Sequence, residues 1–378
     1  MGTCRFLSNL YQVKIEEAYQ NGDPFPSPAD FYKWINEKYI PINPDKIWIK
    51  DTHSKTRKQT LVDKQTAYQR FFKGQGKHPR FKKKKVDECS YYFVRNDQKS
   101  VIHVQRHRIK VPGLGYIRFK EKGYIPSSDS SHVVRSGRIT MYDDRFYISV
   151  LMEIPDEKIE RPDLGTEGMG IDVGLKTTAV CSNGMTFENI ERTDRVKKLK
   201  KQLRHAQRNL SRKYEALKKQ TGCDSLKKVL KTTGYHANIE KAKRRIAHLQ
   251  ARLARIRKNY RRYIASKIAK TKPSYVTLER LNVQGMMKNR HLARSVVEQG
   301  FYELKTAIIE ACKKYQIEVR EVSMWYASSK TCHMCGHIHH DLKLSDRIYV
   351  CPKCGYTENR DMQAALNLRD QEKYTVIA

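Results

Sequence analysis

One carboxylate, Asp172, interrupts a short apolar run at residues 169–173. A Gly-Leu-Lys turn leads into a second apolar run at 178–181, and Asn183-Gly184 offers a further hairpin turn. A buried carboxylate among apolar neighbours is costly unless it is paired or binds a metal. This strand-turn-strand pattern is a reasonable start for a metal-dependent phosphoryl-transfer site, although an aspartate bonded to backbone at a strand edge would give the same pattern.

Two further carboxylates occupy comparable places. Glu279 ends a predicted strand at 274–279, and reactive groups in α/β sheets collect at strand ends. Asp361 begins a predicted helix directly after a cysteine-rich segment, where an N-cap is the ordinary use of an aspartate. Between the two, the pattern predicts a basic loop, an amphipathic helix at 296–315 and a strand at 317–322.

Four cysteines form two C-x2-C knuckles separated by 15 residues, with a glycine directly after each second cysteine. Two tight knuckles supply the four thiolates of tetrahedral zinc with little strain and leave no open coordination position. We therefore predict one structural Zn²⁺, with a redox pair or an iron cluster as the alternatives, and expect the spacer histidines at the surface. The predicted zinc ligands are Cys332, Cys335, Cys351 and Cys354.

The charge balance points to a polyanion. The 378 residues include 75 Lys and Arg against 40 Asp and Glu, a net charge of +35, which favours nucleic acid over a ribosomal-type or membrane-surface protein. We find no apolar run near 18 residues and no signal-peptide pattern at the N-terminus. The remaining five cysteines are scattered, as in a reducing cytoplasm. We expect a cytoplasmic, prokaryotic, nucleoid-associated protein with no membrane partner.

Basic residues concentrate in three places. Aromatic rings alternate with bases at 71–85, which suits stacking and phosphate neutralisation, although a solvated loop is the ordinary alternative. Two predicted helices between 192 and 270 share an apolar coiled-coil seam and should fold into a hairpin near Gly222 and Gly234, and residues 239–270 carry 12 Lys and Arg against one acid. The predicted nucleic-acid contacts are Phe72, Lys73, Arg80, Phe81, Lys82, Lys83, Arg244, Arg252 and, in the basic loop, Lys288, Arg290 and Arg294.

The first half of the chain divides by periodicity. Residues 1–72 are predicted to be mostly helical, with proline breaks near 24–28 and 41–44. Six short β-favouring runs between 87 and 155 predict a small barrel, followed by a polar linker at 155–165.

Taken together, these motifs resemble the TnpB family of transposon-encoded RNA-guided nucleases and the related type V CRISPR effectors. Gly-Ile-Asp-Val-Gly at 170–174 resembles the first RuvC motif, and Leu-Glu-Arg-Leu-Asn-Val at 278–283 resembles the second. Arg-Asp at 360–361 with Ala-Ala-Leu-Asn at 364–367 resembles the third, placed after a zinc ribbon as in that family. Further similarities lie at 71–81 and 111–115. The order of the motifs is more specific than any one of them.

The resemblance implies a multidomain α+β protein with an RNase H-like (RuvC) α/β nuclease core. It implies a helical recognition lobe at 1–86 and a β-barrel wedge domain with linker at 87–165. The nuclease domain would span 166–325 with the helical hairpin at 192–270, followed by a zinc ribbon at 326–358 that binds target nucleic acid. The third motif would form a helix and tail at 359–378.

The resemblance also implies an activity. Asp172, Glu279 and Asp361 would bind two Mg²⁺ ions and hydrolyse double-stranded DNA beside a short adjacent motif, with Asp172 bridging the ions. The partners would be a guide RNA and target DNA, with one protein monomer per guide. A guided regulator without cleavage and a strand-joining transposase are the alternatives. Family members usually carry an opening strand and helix before a segment like residues 2–6, and Gln363 stands where the family commonly has Asn.

Overall fold

The computed structural model describes residues 1–83, 90–96, 101–128, 132–142, 145–153, 163–222, 225, 236–343 and 345–378. The chain divides into two compact units, Met1–Glu160 and Arg161–Ala378, which are described separately. Most of the predicted linker at 155–165, and Gly234 of the predicted hairpin loop, lie outside the described residues.

Helices form the first part of the N-terminal unit, as predicted. Ser27 caps α2 by accepting a hydrogen bond from the Asp30 amide, with Pro28 in the first helical position. An apolar cluster that includes Leu7, Tyr11 and Leu61 holds the helices together. The elements are α1 (Gly2–Asn21), α2 (Pro28–Trp34) with a π-helical turn (Ile35–Tyr39), α3 (Ile40–Ile42), a 3-10 helix (Pro44–Asp51) and α4 (Ser54–Phe72).

All six predicted strands of the N-terminal unit are present, but their pairing differs from a simple barrel. They form two antiparallel three-stranded sheets, of order β1-β5-β6 and β2-β3-β4, and no pairing between the two sheets occurs among the residues that the structure describes. Both sheets contribute to one apolar core around Phe93 and Ile109. The strands are β1 (Ser90–Val94), β2 (His103–Gln105), β3 (Arg108–Val111), β4 (Gly115–Arg118), β5 (Val133–Tyr142) and β6 (Arg145–Glu153).

A mixed six-stranded sheet of order β14-β11-β10-β7-β8-β9 organises the C-terminal unit. The central strands β7, β10 and β11 are parallel, while β8, β9 and β14 run antiparallel to their neighbours. The predicted turn at Asn183-Gly184 joins β8 to β9, and Gly184 has φ 89°. The strands are β7 (Met169–Asp172), β8 (Thr177–Cys181), β9 (Thr186–Glu188), β10 (Tyr275–Glu279), β11 (Glu318–Val322) and β14 (Thr375–Val376).

Two long helices pair as the predicted basic hairpin. In α5 (Asp194–Thr221) and α6 (Ala237–Lys270), the apolar seam brings Leu199 against Leu253 near the sheet and Leu217 against Ile239 at the far end. This pairing makes the helices antiparallel. Gly222 ends α5 in the left-handed conformation, with φ 61°.

The sheet packs helices on both faces. The C-terminal part of α6 and helix α9 (Phe301–Lys314) cover the face formed by residues such as Met169 and Ile171. Side chains alternate along a strand, so Gly170 faces the other side, where α10 (Arg360–Arg369) packs against it.

The segment after β10 differs from the prediction. The basic residues expected in a loop lie in two short helices, α7 (Val283–Lys288) and α8 (Arg290–Gln299), capped by the side chains of Asn282 and Asn289. The single amphipathic helix predicted at 296–315 is broken at Gly300, whose φ of 63° ends α8 before α9 begins. The apolar periodicity continues across this break, which is why sequence alone did not reveal it.

Candidate active site and cysteine cluster

Asp172 and Glu279 lie side by side at the carboxyl ends of neighbouring parallel strands. Ile171 on β7 pairs with Leu278 on β10, so the next residue of each strand is one of the two carboxylates. The pairing depends on apolar residues that are buried on both strands, as a sheet covered on both faces requires. The sheet register therefore brings together two of the residues that the motifs singled out.

Asp361 reaches the same place from helix α10. The N-cap of this helix is Asn359, whose side chain accepts hydrogen bonds from the amides of Asp361 and Met362. The N-cap alternative for Asp361 is therefore wrong, because Asn359 caps the helix. Close approach of α10 depends on Gly170, because a Cβ there would lie 1.9 Å from the carbonyl oxygen of Ala365.

The charges of the other two carboxylates act on Asp172. Burial, followed by the negative charges of Asp361 and Glu279, raises the pKa of Asp172 to about 7. Burial raises the pKa of Glu279 to about 7 as well. Carboxylates with raised pKa values gain most from a bound cation, since the cation offsets both desolvation and mutual repulsion.

Arg360 is a site residue that the sequence reasoning left without a role. Its guanidinium counteracts part of the pKa increase of Asp172, and one of its nitrogens lies 3.7 Å from a carboxylate oxygen of Asp361. Arg360 also donates a hydrogen bond to the carbonyl oxygen of Lys343, in the cysteine-rich segment. Its position directly before Asp361 was the only signal in the sequence.

The four predicted cysteines form the tightest cluster of potential ligands. Their sulfurs lie within 4.8 Å of one another, and within the described ranges no other group of three or more His, Cys, Asp or Glu side chains is gathered in this way. The Sγ atoms of Cys332 and Cys354 are 3.6 Å apart, as are those of Cys335 and Cys351. Tetrahedral Zn–S bonds of about 2.3 Å place sulfurs about 3.8 Å apart, so the cluster fits a zinc ion.

The two knuckles repeat the same backbone geometry. In each, the glycine after the second cysteine donates its amide to the carbonyl of the first: Gly336 to Cys332 at 2.9 Å and Gly355 to Cys351 at 3.0 Å. Both glycines have positive φ, 69° and 73°, which explains why glycine stands there. The strands β12 (Ile348–Val350) and β13 (Thr357–Asn359) pair on either side of the second knuckle, as Thr331 and Ile338 do around the first. Tyr349 is buried in the apolar cluster that includes the cysteines.

Helix α10 joins the cysteine-rich segment to the sheet. Gln363 and Asn367 are buried on this helix, and both side-chain amides donate to the carbonyl oxygen of Thr331, directly before the first ligand. Asn367 also donates to the carbonyl of Ser328 at 2.7 Å. Gln363 and Asn367 thus fasten the cysteine-rich segment to the helix that carries Asp361.

A charge cluster, defined here as Glu191, Glu298, Lys200, Arg257 and Arg294, holds the hairpin base to α8. Lys200 lies 2.6 Å from both Glu191 and Glu298, Arg257 pairs with the same two carboxylates, and Arg294 pairs with Glu298. Burial alone would raise the pKa of Glu191, but hydrogen bonds from Arg257 and Lys200 lower it below its ordinary range. The cluster was not predicted, because its members are far apart in the chain.

Next to that cluster, Gln299 supports the loop that follows Asp172. Its buried side-chain amide donates to the carbonyl oxygen of Gly174 at 2.9 Å and to the hydroxyl of Thr178 at 3.2 Å. Arg261 of the hairpin donates to the Gln299 carbonyl at 3.0 Å. A continuous set of polar contacts therefore runs from the hairpin to the end of β7.

The predicted nucleic-acid contacts of the N-terminal unit lie on a fixed segment. Residues 73–83 follow α4 and are held against α1, since Asn9 exchanges two hydrogen bonds with the backbone of Lys82 and Gln12 donates to the carbonyl of Pro79. The side chains of Phe72 and Phe81 are about half exposed. Lys73, Arg80 and Lys83 are exposed, and Lys82 is partly buried.

The predicted contacts of the C-terminal unit are also at its surface. Arg244 and Arg252 are exposed on α6, and Lys288 and Arg290 are exposed at the junction of α7 and α8. Arg294 is exposed but pairs with Glu298. Binding by these residues stays a prediction. In the part of the chain that the structure describes, none of the helices has the length and apolar character needed to span a membrane.

Two family models match parts of the chain. The model described as "Probable transposase" matches residues 149–290, which include Asp172 and Glu279. The model described as "Cas12f1-like, TNB domain" matches residues 301–368, which include the four cysteines and Asp361.

Known proteins match either nearly the whole chain or about half of it. The "Putative RNA-guided DNA endonuclease InsQ" of Escherichia coli (strain K12) is 26% identical over 97% of this chain and 86% of its own length. The "CRISPR-associated endodeoxyribonuclease Cas12f1" of an uncultured archaeon is 29% identical over 53% of this chain and 37% of its own. A solved structure, that of a Cas12f1-sgRNA-target DNA complex, matches with a TM-score of 0.57 at 17% identity, covering 99% of this chain and 82% of that one.

The structural match places the chain in a class of multidomain α+β proteins that contain a mixed sheet and a cysteine cluster. The family models and the named relatives are of the TnpB and Cas12f1 type, so the resemblance that the sequence motifs predicted is confirmed.

Proposed function

We propose that this protein is an RNA-guided DNA endonuclease of the transposon-encoded TnpB type. One observation carries the proposal: Asp172, Glu279 and Asp361 converge at one edge of the mixed sheet, and the charges of Asp361 and Glu279 raise the pKa of Asp172. A protein that only bound DNA would have no use for three carboxylates placed so that two of them raise the pKa of the third. The names of the relatives InsQ and Cas12f1 support the same activity.

The core would be of the RNase H-like (RuvC) type. Its central strands carry two of the acids, and α10 delivers the third across the opposite face from α6 and α9. The two N-terminal sheets would form the wedge domain, and α1 to α4 the recognition lobe. The four cysteines would hold one structural Zn²⁺ and would fill all four of its tetrahedral coordination positions.

The acids would hold two Mg²⁺ ions, since hard cations prefer carboxylate oxygens. Two ions together supply Lewis-acid stabilisation and a water molecule of lowered pKa for hydrolysis of a phosphodiester. The charges of both Asp361 and Glu279 raise the pKa of Asp172, so Asp172 is the acid that would share the bound cations with each of the other two. Because the three acids are not gathered as tightly as the cysteines, a two-ion site suits them better than a one-ion cage.

Neighbouring residues would keep this set in place. Arg360 offsets part of the negative charge around Asp172, and Gln299 holds the loop that follows β7 through the Gly174 carbonyl. Both contacts restrain the backbone on either side of the acids. Pre-positioned ligands of this kind reduce the reorganisation needed at the moment of reaction.

Guide RNA and the RNA–DNA heteroduplex would occupy the basic surfaces. The exposed cations of α6 and of residues 73–83 lie at surfaces that can track a phosphate backbone by shape rather than by sequence. We propose one protein chain per guide RNA.

The test is cleavage of a plasmid that carries a matched target beside randomised sequence, with Mg²⁺ and RNA from the flanking transposon end. We expect guided cuts from the wild type, and loss of cutting to background with retained guided binding in Asp172→Ala, Glu279→Ala and Asp361→Ala. Asp341→Ala, which removes an exposed acid elsewhere, is the matched control. Guided binding without cuts by the wild type would indicate a regulator, and joined strands would indicate a transposase.

A further inference from the structure

A cavity of about 460 Å³ opens beside the carboxylates on the α9 side of the site. Glu279 itself lines it, as does Val173, which directly follows Asp172. Helix α9 supplies the facing wall through Phe301, Leu304 and Ile308. The cavity therefore lies within reach of whatever is bound at the acids.

The lining combines apolar side chains with the charged residues Glu279, Arg280, Lys305 and Glu321. Leu281 and Val283, in the segment after Glu279, complete the apolar part. Two of these charged residues, Lys305 and Glu321, form an ion pair in which Glu321 is mostly buried. Cavities of this size and mixed character accept small ligands that combine apolar surface with a few polar groups.

Tyr302 lies at the rim of the cavity, and its ring is exposed. Its side chain is 74% exposed although it belongs to the cavity lining. Across the residues that the structure describes, its ring takes part in no aromatic pair and no cation–π contact. Its position results from Gly300, which breaks the preceding helix so that α9 starts at the cavity mouth.

We propose that this cavity binds one unpaired nucleobase of the DNA strand being cut, with the Tyr302 ring as its stacking surface. This inference rests on the proposed function and adds a substrate-positioning residue to it. An exposed ring accepts any base by stacking, and the cavity admits only a base that has left its duplex, because a paired base is held in the stack. The bound base would hold the neighbouring phosphate at Glu279 and Asp172. Tyr302 is thus a positioning residue that acts through the base and needs no contact with the scissile bond.

The decisive experiment combines a protein change with a substrate change. The wild type, Tyr302→Ala and Tyr302→Phe are assayed with guide RNA and Mg²⁺ on targets that carry a single abasic nucleotide at successive positions around the cut. For the wild type, we expect one abasic position to lower kcat/KM about 10-fold, equivalent to about 1.4 kcal/mol. Tyr302→Ala should lose about as much on the intact target and nothing further on the abasic one, whereas Tyr302→Phe should resemble the wild type. Tyr124→Ala, which removes an exposed tyrosine of the N-terminal unit, should keep the full abasic effect.

Two readouts separate this inference from a structural role and from failure of the proposed function. The stabilisation of Tyr302→Ala by Mg²⁺ in a thermal melt should equal that of the wild type, because the acids are untouched. A single-stranded target that carries 5-iododeoxyuridine should photocrosslink to Tyr302 in Ca²⁺, whether or not cleavage occurs. A crosslink at Tyr302 in Ca²⁺, together with no guided cutting in Mg²⁺, would contradict the proposed function and support the nucleobase site. Guided cutting with additive losses for Tyr302→Ala and the abasic nucleotide, or with no crosslink at Tyr302, would overturn the nucleobase site alone.

Discussion

Replacing Asp172 by asparagine should stabilise the metal-free protein, although it removes a residue of the proposed active site. Burial and the charges of Asp361 and Glu279 raise the pKa of Asp172 from 3.8 to about 7. A folded-state pKa above the unfolded value means that the folded protein binds the proton more tightly. The wild type must therefore lose stability as the pH rises from about 4 to about 7, while Asp172→Asn does not carry this cost.

The magnitude follows from the size of that pKa difference. Each pKa unit corresponds to about 1.4 kcal/mol, so the full difference would be about 4 kcal/mol. Asp172 is only partly buried by surface area, and solvent screening reduces the electrostatic effect. We therefore expect Asp172→Asn to be about 1–3 kcal/mol more stable than the wild type at pH 8. In a unit of this size, that corresponds to a rise in Tm of about 3–8 °C.

The assay is a series of thermal melts in EDTA between pH 4 and pH 8, repeated with Mg²⁺. The advantage of Asp172→Asn over the wild type should be small near pH 4 and complete near pH 8. Added Mg²⁺ should raise the Tm of the wild type and have much less effect on the variant, because a ligand stabilises only the state that binds it. Asp341→Asn, at an exposed site, should change stability by less than about 0.5 kcal/mol. An Asp172→Asn protein that is no more stable than the wild type at pH 8 would refute the reasoning.

Two further predictions concern the elements that position the site. Gly170→Ala should lower the Tm by about 3–8 °C and reduce cleavage, because its Cβ would meet backbone atoms of α10 at 1.9 Å and 2.4 Å and such overpacking costs about 1–3 kcal/mol. The control is Gly165→Ala, whose nearest contact is 3.4 Å. Equal melting temperatures for the two variants would contradict this packing. Cys332→Ser or Cys354→Ser should release one zinc per chain by elemental analysis and lower the stability of the C-terminal unit, since metal binding is coupled to folding in such ribbons; natively purified wild type without zinc would disprove the zinc assignment.

The sequence predicted the elements that carry strong local signals. The apolar runs around Asp172 and Glu279 became adjacent strands, and the seam of the basic helices became an antiparallel hairpin. The C-x2-C spacing predicted the cysteine cluster, because two short knuckles fix the ligands locally. In each case, residues close together in the chain carry the signal for the element, whereas the pairing of β7 with β10 joins distant parts of the chain.

Other features depend on partners far away in the chain, and local patterns missed them. The break at Gly300 could not be read because apolar periodicity continues across it, and the capping asparagines Asn282 and Asn289 convert an expected loop into helices. Asp361 was weighed against an N-cap role that Asn359 in fact fills. The barrel was inferred from strand spacing, which does not determine how strands pair.

The charge cluster and the Gln299 contacts are the least predictable part of the site. Glu191 and Glu298 are separated by more than one hundred residues in the chain, yet both pair with Lys200. Only the folded hairpin places them together. The sequence could single out the candidate site residues, whereas the tertiary structure alone shows what holds them.

The most direct measurement of the central claim is a change of guide with no change of protein. The purified protein would be loaded with either of two RNAs that differ only in the spacer, and each complex would be offered both matching plasmids with Mg²⁺. We predict that each complex cuts only the plasmid that matches its spacer, and that Asp172→Ala loaded with the same RNAs binds the same plasmid without cutting it. Cutting that stays at one DNA sequence whichever spacer is loaded, or that persists at that sequence after the protein is treated with RNase, would contradict RNA guidance.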